Sequence, residues 1–148
     1  MATPVYAVRA DVVNAAGGEA RLLQIADWDG DGVEDTGLVD GVLCEMEGFV
    51  NSFVRKVFDV PLQAPIPQTI VTITATLTVH ELKARRDATT EIDDVHQEQR
   101  IKWLENLAAG RVDIGVSPPP TASSQNSTRA LDRPSTKAVS RDNLKGFA

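Results

Sequence analysis

Apolar residues recur at intervals of three and four along most of the chain, and this period predicts α-helices. It is clearest over residues 38–58, between a polar loop at 27–37 and a stretch with three prolines at 59–67, which predicts a stiff extended linker. Asp35 or Thr36 is placed to cap the start of the helix. Its apolar positions are Leu38, Val39, Val42, Leu43, Met46, Phe49, Val50, Phe53, Val54 and Val57.

Two shorter helices are predicted over residues 5–26, separated at Gly17-Gly18. A final helix is predicted over residues 92–109, where Gly110 is placed to terminate it. The first two helices draw their apolar sides from Val8, Val12 and Val13 and from Leu22, Leu23 and Ile25. The final helix draws its apolar side from Ile92, Val95, Ile101, Leu104, Leu107 and Ala108, with Trp103 beside it.

Residues 69–80 fit two periods at once. Their apolar residues alternate with polar ones, mostly threonine, and that period of two, with many β-branched side chains, is typical of a half-buried strand. We predict a helix, because the sequence offers no second convincing strand, Pro67 suits a helix start, and good helix formers follow at 81–86. The corresponding helical face consists of Ile70, Ile73, Leu77 and either His80 or Glu81.

Together these elements predict a mainly α fold: a small bundle of about four to five helices with a long extended C-terminal arm. Residues 1–116, the body, carry 10 Lys and Arg against 19 Asp and Glu, a net charge of −9. Residues 117–148, the arm, carry 5 Lys and Arg against 2 Asp, a net charge of +3. The overall charge of −6 argues against a general nucleic-acid binder.

The arm is rich in serine and proline, a composition that buries too little apolar surface to offset chain entropy. We therefore expect it to be held by another protein; the alternative is an ordinary solvated charge run. Its five cations are four residues apart and would form one stripe on a helix, although Pro134 interrupts such a helix. The predicted assembly residues are Arg129, Arg133, Lys137, Arg141, Lys145, Leu144 and Phe147.

The polar loop has the start of a calcium-binding loop, with glycine at the sixth position. The twelfth position, where a bidentate glutamate closes the ligand shell, is Leu38. We therefore predict no metal site and interpret the loop as a set of Asx turns. The candidate ligands, should a weak calcium or magnesium site exist, are Asp27, Asp29, Asp31 and Asp35.

Nothing in the sequence marks a catalytic site or a cofactor. His80 and His96 have no zinc-binding partner motif, and Cys44 falls within the apolar helix at 38–58, where we expect it in the core. Motifs for a serine nucleophile, a P-loop or a dinucleotide site are absent. No apolar run is long enough to span a membrane, and no secretory signal is recognisable. We expect a protein that is not an enzyme.

Several segments in order resemble the phage Mu Gp36-like family. They are Tyr6 and Asp11 in the opening helix, Leu22–Asp27, the aspartate loop, the helix ending in Val60-Pro61-Leu62, and Arg100–Val112. The last is the most specific, since it carries Trp-Leu-Glu-x-Leu-Ala-Ala-Gly-Arg-Val. The resemblance covers roughly residues 5–116, and the threonine-alternating stretch departs from the plain amphipathic helix of the family.

The resemblance implies a head–tail connector, also called an adaptor or head-completion protein, of a tailed bacteriophage. Such proteins form a ring, here expected to have twelve copies, between the portal and the tail. Its partners would be further copies of itself, the portal protein and a tail, stopper or tail-terminator protein. Genomic DNA would pass through the lumen without sequence-specific binding. The expected location is the neck of the virion, after assembly in the host cytoplasm.

The residues themselves leave a second hypothesis open, a calcium-dependent interaction module built on the Asp27–Asp35 loop. The two hypotheses differ in their requirement for a cation. A connector also leads us to expect an acidic lumen face, because repulsion would limit sticking to the moving DNA.

Overall fold

The computed structural model describes residues 3–118 and shows five α-helices, with no strand in that range. The mainly α prediction is confirmed for this part of the chain. The assembly residues predicted in the arm, from Arg129 to Phe147, lie outside the described residues. The helices are α1 (Arg9–Ala16), α2 (Glu19–Ala26), α3 (Leu38–Val54), α4 (Gln68–Ala84) and α5 (Glu91–Ala108).

The threonine-alternating stretch is helix α4, as predicted, and it is the central helix of the body. It packs against all four other helices. Its apolar residues and its threonines can therefore both lie against neighbouring helices, which explains the strand-like pattern. Thr74 and Thr78 are fully buried, and each donates its hydroxyl to the carbonyl four residues back, at 2.8 and 2.9 Å. The hydroxyls are therefore satisfied within the helix, and threonine costs less there than its strand preference suggests.

The core has two parts, one toward each end of α4. The first joins α1, α2, the start of α3 and the later turns of α4. The second joins the later turns of α3, the start of α4, the end of α5 and the segments on either side. Its buried members are Tyr6, Val50, Val54, Phe58, Leu62, Ile70, Ile73, Leu77, Leu104 and Leu107.

Tyr6 connects the N-terminal segment to the rest of the body. Its hydroxyl donates to Asn51 Oδ1 and accepts from the Leu62 amide at 2.9 Å, while its own amide donates to Glu47 Oε2 at 3.1 Å. Burial raises the pKa of the phenol, opposed by the Leu62 N–H and reinforced by the Glu47 charge. One side chain thus joins α3, the proline-bearing linker and the segment before α1.

Three local predictions are wrong. Gly37, at φ +75°, precedes α3 with no side-chain cap, because the Asp35 carboxylate instead accepts from the Trp28 amide. The linker at 59–67 bends several times and is not extended throughout. Cys44 is half-buried and lies outside the fully packed core.

The predicted apolar side of α5 is correct only at its C-terminal end. Leu104 and Leu107 are completely buried, whereas Ile92 is 68% exposed and Val95 is 50% exposed. At 100° per residue, Val95 points about 120° from Leu107 and about 180° from Leu104, whereas Ile92 lies about 60° from Leu107. The first half of α5 therefore exposes apolar side chains that the sequence analysis assigned to the core.

Candidate functional site

The loop between α2 and α3 brings three of its four candidate ligands together. One carboxylate oxygen from each of Asp27, Asp29 and Asp31 lies within 4.8 Å of the others. Asp35 is not part of this group, and Leu38, at the position of the closing glutamate, offers no oxygen. The loop therefore presents three carboxylates where a calcium loop of this type presents six or more ligand oxygens.

The carboxylates also shape the loop. Asp27 accepts from the amides of Gly30 at 2.7 Å and Gly32 at 2.9 Å, one on each oxygen. Asp29 accepts from the Asp31 amide at 3.1 Å, and Asp31 accepts from the Val33 amide at 2.8 Å. These are Asx-type contacts that satisfy backbone donors, so each aspartate has a structural role without a cation.

The pKa values of two of the aspartates shift in opposite directions. Desolvation raises the pKa of the Asp27 carboxyl, but the amides of Gly32 and Gly30, together with further donors, outweigh it and leave the pKa lowered. At Asp29 the Asp31 amide lowers the pKa, but desolvation and the neighbouring carboxylates outweigh it and leave the pKa raised. The crowding of negative charge is thus felt chiefly at Asp29.

Two arginines fix the loop and its flanks to the helices. Arg86, just after α4, donates to the carbonyls of Gln24 and Asp27 at the end of α2. Arg9 in α1 pairs with Glu19 and Glu34, and both contacts raise the pKa of the guanidinium. The loop is therefore a fixed surface feature, and it exposes Trp28 and Val33.

The first half of α5 is held to α4 by polar contacts. Lys83 Nζ lies 2.9 Å from Asp93 Oδ1, and His80 Nε2 lies 3.0 Å from Asp94 Oδ1. Thr90 accepts from the Asp93 amide at 3.2 Å, and the Asp93 carboxylate accepts from the Thr90 amide at 3.1 Å, which forms a capping box. The Lys83 ammonium lowers the pKa of Asp93, with burial opposing and Thr90 assisting.

His80 and His96 take different positions at this contact. His80 is buried, and its Nδ1 has no hydrogen-bond partner among the described residues. His96 is exposed and lies in α5 one turn before Arg100. The pKa of Arg100 is lowered by burial and partly restored by the Asp93 charge. Two cations, two carboxylates and two imidazoles share this region, so its formal charge is balanced and no catalytic pair stands out.

The outer side of α5 combines exposed apolar and acidic residues, and we call this surface the α5 face. It contains no residue that packs in the core, and its acidic members lie three and four positions apart. Ile92 and Val95 were counted as core by their polarity alone, so the sequence did not reveal this surface. A helical wheel through Leu104 and Leu107 places Val95 on the far side of the helix, but it does not separate Ile92. The α5 face consists of Glu91, Ile92, Asp94, Val95 and Glu98.

The described residues form a small helical body with two core clusters and an exposed α5 face. The family model described as "Bacteriophage Mu, Gp36" matches residues 6–131, and the chain belongs to this family. The match reaches beyond the body into the arm, further than the resemblance noted from the sequence. Membership indicates a bacteriophage structural protein, associated with the virion, and points away from an enzyme.

No curated protein matches the chain. None of the helices within residues 3–118 combines the length and the apolar character that a membrane crossing requires.

Proposed function

We propose that this protein is a head–tail connector subunit of a tailed bacteriophage, also termed an adaptor or head-completion protein. Family membership over residues 6–131 is the observation that carries the proposal. Twelve copies form a ring between the portal and the tail, in the neck of the virion, and the ring extends the DNA channel. The partners are other copies of the chain, the portal protein and a tail, stopper or tail-terminator protein.

The properties of the body suit such a role. A ring subunit needs a firm small core and broad contact surfaces, and it needs no active site. The body has two core clusters joined by α4 and a net charge of −9 over residues 1–116. An acidic lumen would let DNA pass without sticking, because like charges repel. A reconstruction of the assembled ring with a basic lumen would contradict this part of the proposal.

The arm has the opposite charge to the body, and this favours contact between neighbouring copies. A net charge of +3 over residues 117–148 complements the acidic surface of an adjoining body. Each copy would then hold its neighbour, and a closed ring would repeat that contact at every interface. The cost of ordering the arm is met on binding, so the free chain is expected to be monomeric until the portal gathers the copies.

The deciding experiment mixes the purified full chain with purified portal rings and measures stoichiometry by native mass spectrometry and electron microscopy. We expect a ring of twelve copies on one face of the portal. A chain that never associates, with itself or with the portal, would rule the proposal out. A truncation after Val116, checked by circular dichroism, should keep the helical signal of the body and lose stable assembly.

A second candidate function is a calcium-dependent interaction module, favoured by the three carboxylates within 4.8 Å at the aspartate loop. Calorimetric titration of the full chain with calcium separates the two. The connector proposal expects no saturable heat and no thermal shift at millimolar calcium. A saturable signal that Asp29→Asn removes would favour the calcium-dependent module.

A further inference from the structure

The α5 face combines exposed apolar side chains with carboxylates that have few partners. We propose that it is the docking surface for residues 129–147 of the arm of a neighbouring copy. This rests on the proposed assembly function and adds the acceptor surface to it. The apolar residues Ile92 and Val95 would receive Leu144 and Phe147, and the acidic row would receive the arm cations.

The acidic row is free to accept new partners. Within residues 3–118, the side chains of Glu91 and Glu98 form no hydrogen bond or ion pair, and the Asp94 side chain contacts only His80 and is 57% exposed. The row repeats once per helical turn, at intervals of three and four. The arm carries five cations spaced four residues apart, so the two segments have opposite charges.

The other acidic surface, the aspartate loop, is a poorer acceptor. Its aspartates already accept backbone amides, and Glu34 is paired with Arg9. A basic segment docking there would have to compete with contacts that shape the loop. On the α5 face only Asp94 has a partner, His80, and the exposed isoleucine and valine gain apolar burial when covered.

The position where the arm leaves the body favours a neighbouring copy as its source. Pro118 lines the same surface cavity as Phe58 and Val112, near the end of α5, whereas Ile92 lies at its start. A chain folding back onto its own α5 face would have to reverse along about 27 Å of helix. The sequence Pro118-Pro119-Pro120 opposes this reversal, since consecutive prolines favour an extended chain.

Binding can be measured without the portal, so this inference can fail independently of the proposed function. The probe is a fluorescein-labelled synthetic peptide of residues 117–148. The receptor is the full chain carrying Arg133→Glu, Lys137→Glu and Arg141→Glu, so that its own arm does not compete. Fluorescence anisotropy should show saturable binding that weakens as salt is raised, because the contact is largely between charges.

The test variant adds Glu91→Lys and Glu98→Lys to this receptor, and peptide affinity should fall by about tenfold or more. The matched control adds Asp40→Lys and Asp59→Lys to the receptor instead. These substitutions change the net charge by the same amount, and Asp40, like Glu91, is an acidic residue in the first turn of a helix. The affinity of the control should stay within about twofold of the receptor. Absence of saturable binding, or an equal loss in both variants, overturns the proposal.

A mixing experiment tests whether the contact joins two copies. A chain with only the α5 face reversed and a chain with only the arm reversed should each assemble poorly on the portal. Mixed together, they carry two complementary contacts and should assemble at near the wild-type level. If the mixture assembles no better than its components, while wild type assembles, the arm lies on its own body. If wild type assembles and the α5-face variant assembles equally well, the α5 face is not the acceptor, and the connector role stands.

Discussion

Helices α4 and α5 have nearly the same length, 17 and 18 residues, and are used in opposite ways. Nine residues of α4 are buried, against two of α5. The central helix is stabilised by apolar packing around most of its circumference. The outer one is packed only near its C-terminal end, and its first half is held by a capping box, the Lys83–Asp93 ion pair and the His80–Asp94 contact. Stability and availability for binding are thus separated between two helices.

The largest expected effect compares one residue from each helix. Leu77→Ala in α4 removes a fully buried side chain and should lower the free energy of unfolding by about 2–5 kcal/mol, since it leaves a cavity in the second core cluster. Ile92→Ala in α5 removes a mostly exposed side chain and should change that free energy by about 0.5 kcal/mol or less. Urea denaturation followed by circular dichroism measures both. Equal effects would mean that the first half of α5 belongs to the core after all.

The same two helices show how much of the fold could be predicted from the sequence. The period of three and four identified α3 correctly, because that helix buries one side and exposes the other. It was ambiguous in α4, where burial on most sides removes the contrast between faces. The helix was still predicted, from Pro67, the helix formers after residue 80 and the lack of a partner strand.

In α5 the prediction failed in a different way, because it assigned exposed side chains to the core. Apolar character alone does not say whether a side chain is covered, and Ile92 and Val95 are exposed although Asp93 and Asp94 beside them contact α4. Of the candidate metal ligands, Asp27, Asp29 and Asp31 lie close together in the loop, whereas Asp35 does not join them. The direction of Asp35 was not predictable, because it depends on the Trp28 amide made available by the turn of the loop.

A smaller effect is expected from the polar attachment of α5. Asp93→Asn removes the charge that pairs with Lys83 and weakens the capping box, so it should destabilise the protein by about 1 kcal/mol. Asp40→Asn is the control, because Asp40 also lies in the first turn of a helix and forms no charged pair among the described residues. It should cost about 0.5 kcal/mol or less. If the two substitutions cost the same, the contact with Lys83 does not hold α5 in place.

The smallest expected effect is the pH dependence of the stability difference between wild type and Asp93→Asn. The Lys83 contact lowers the pKa of Asp93 below its ordinary value of 3.8, so the folded state favours the ionised carboxylate more than the unfolded state does. Its contribution is therefore complete above about pH 5 and is lost as the pH falls through the lowered pKa. The stability difference between wild type and Asp93→Asn should be constant near neutrality and shrink as the pH falls through the lowered pKa of Asp93. Urea denaturation of both proteins from pH 7 to pH 2.5 measures it, and the other carboxylates cancel because both proteins share them. A difference that persists at the acid end would show that the asparagine disturbs the capping box and not the charged contact.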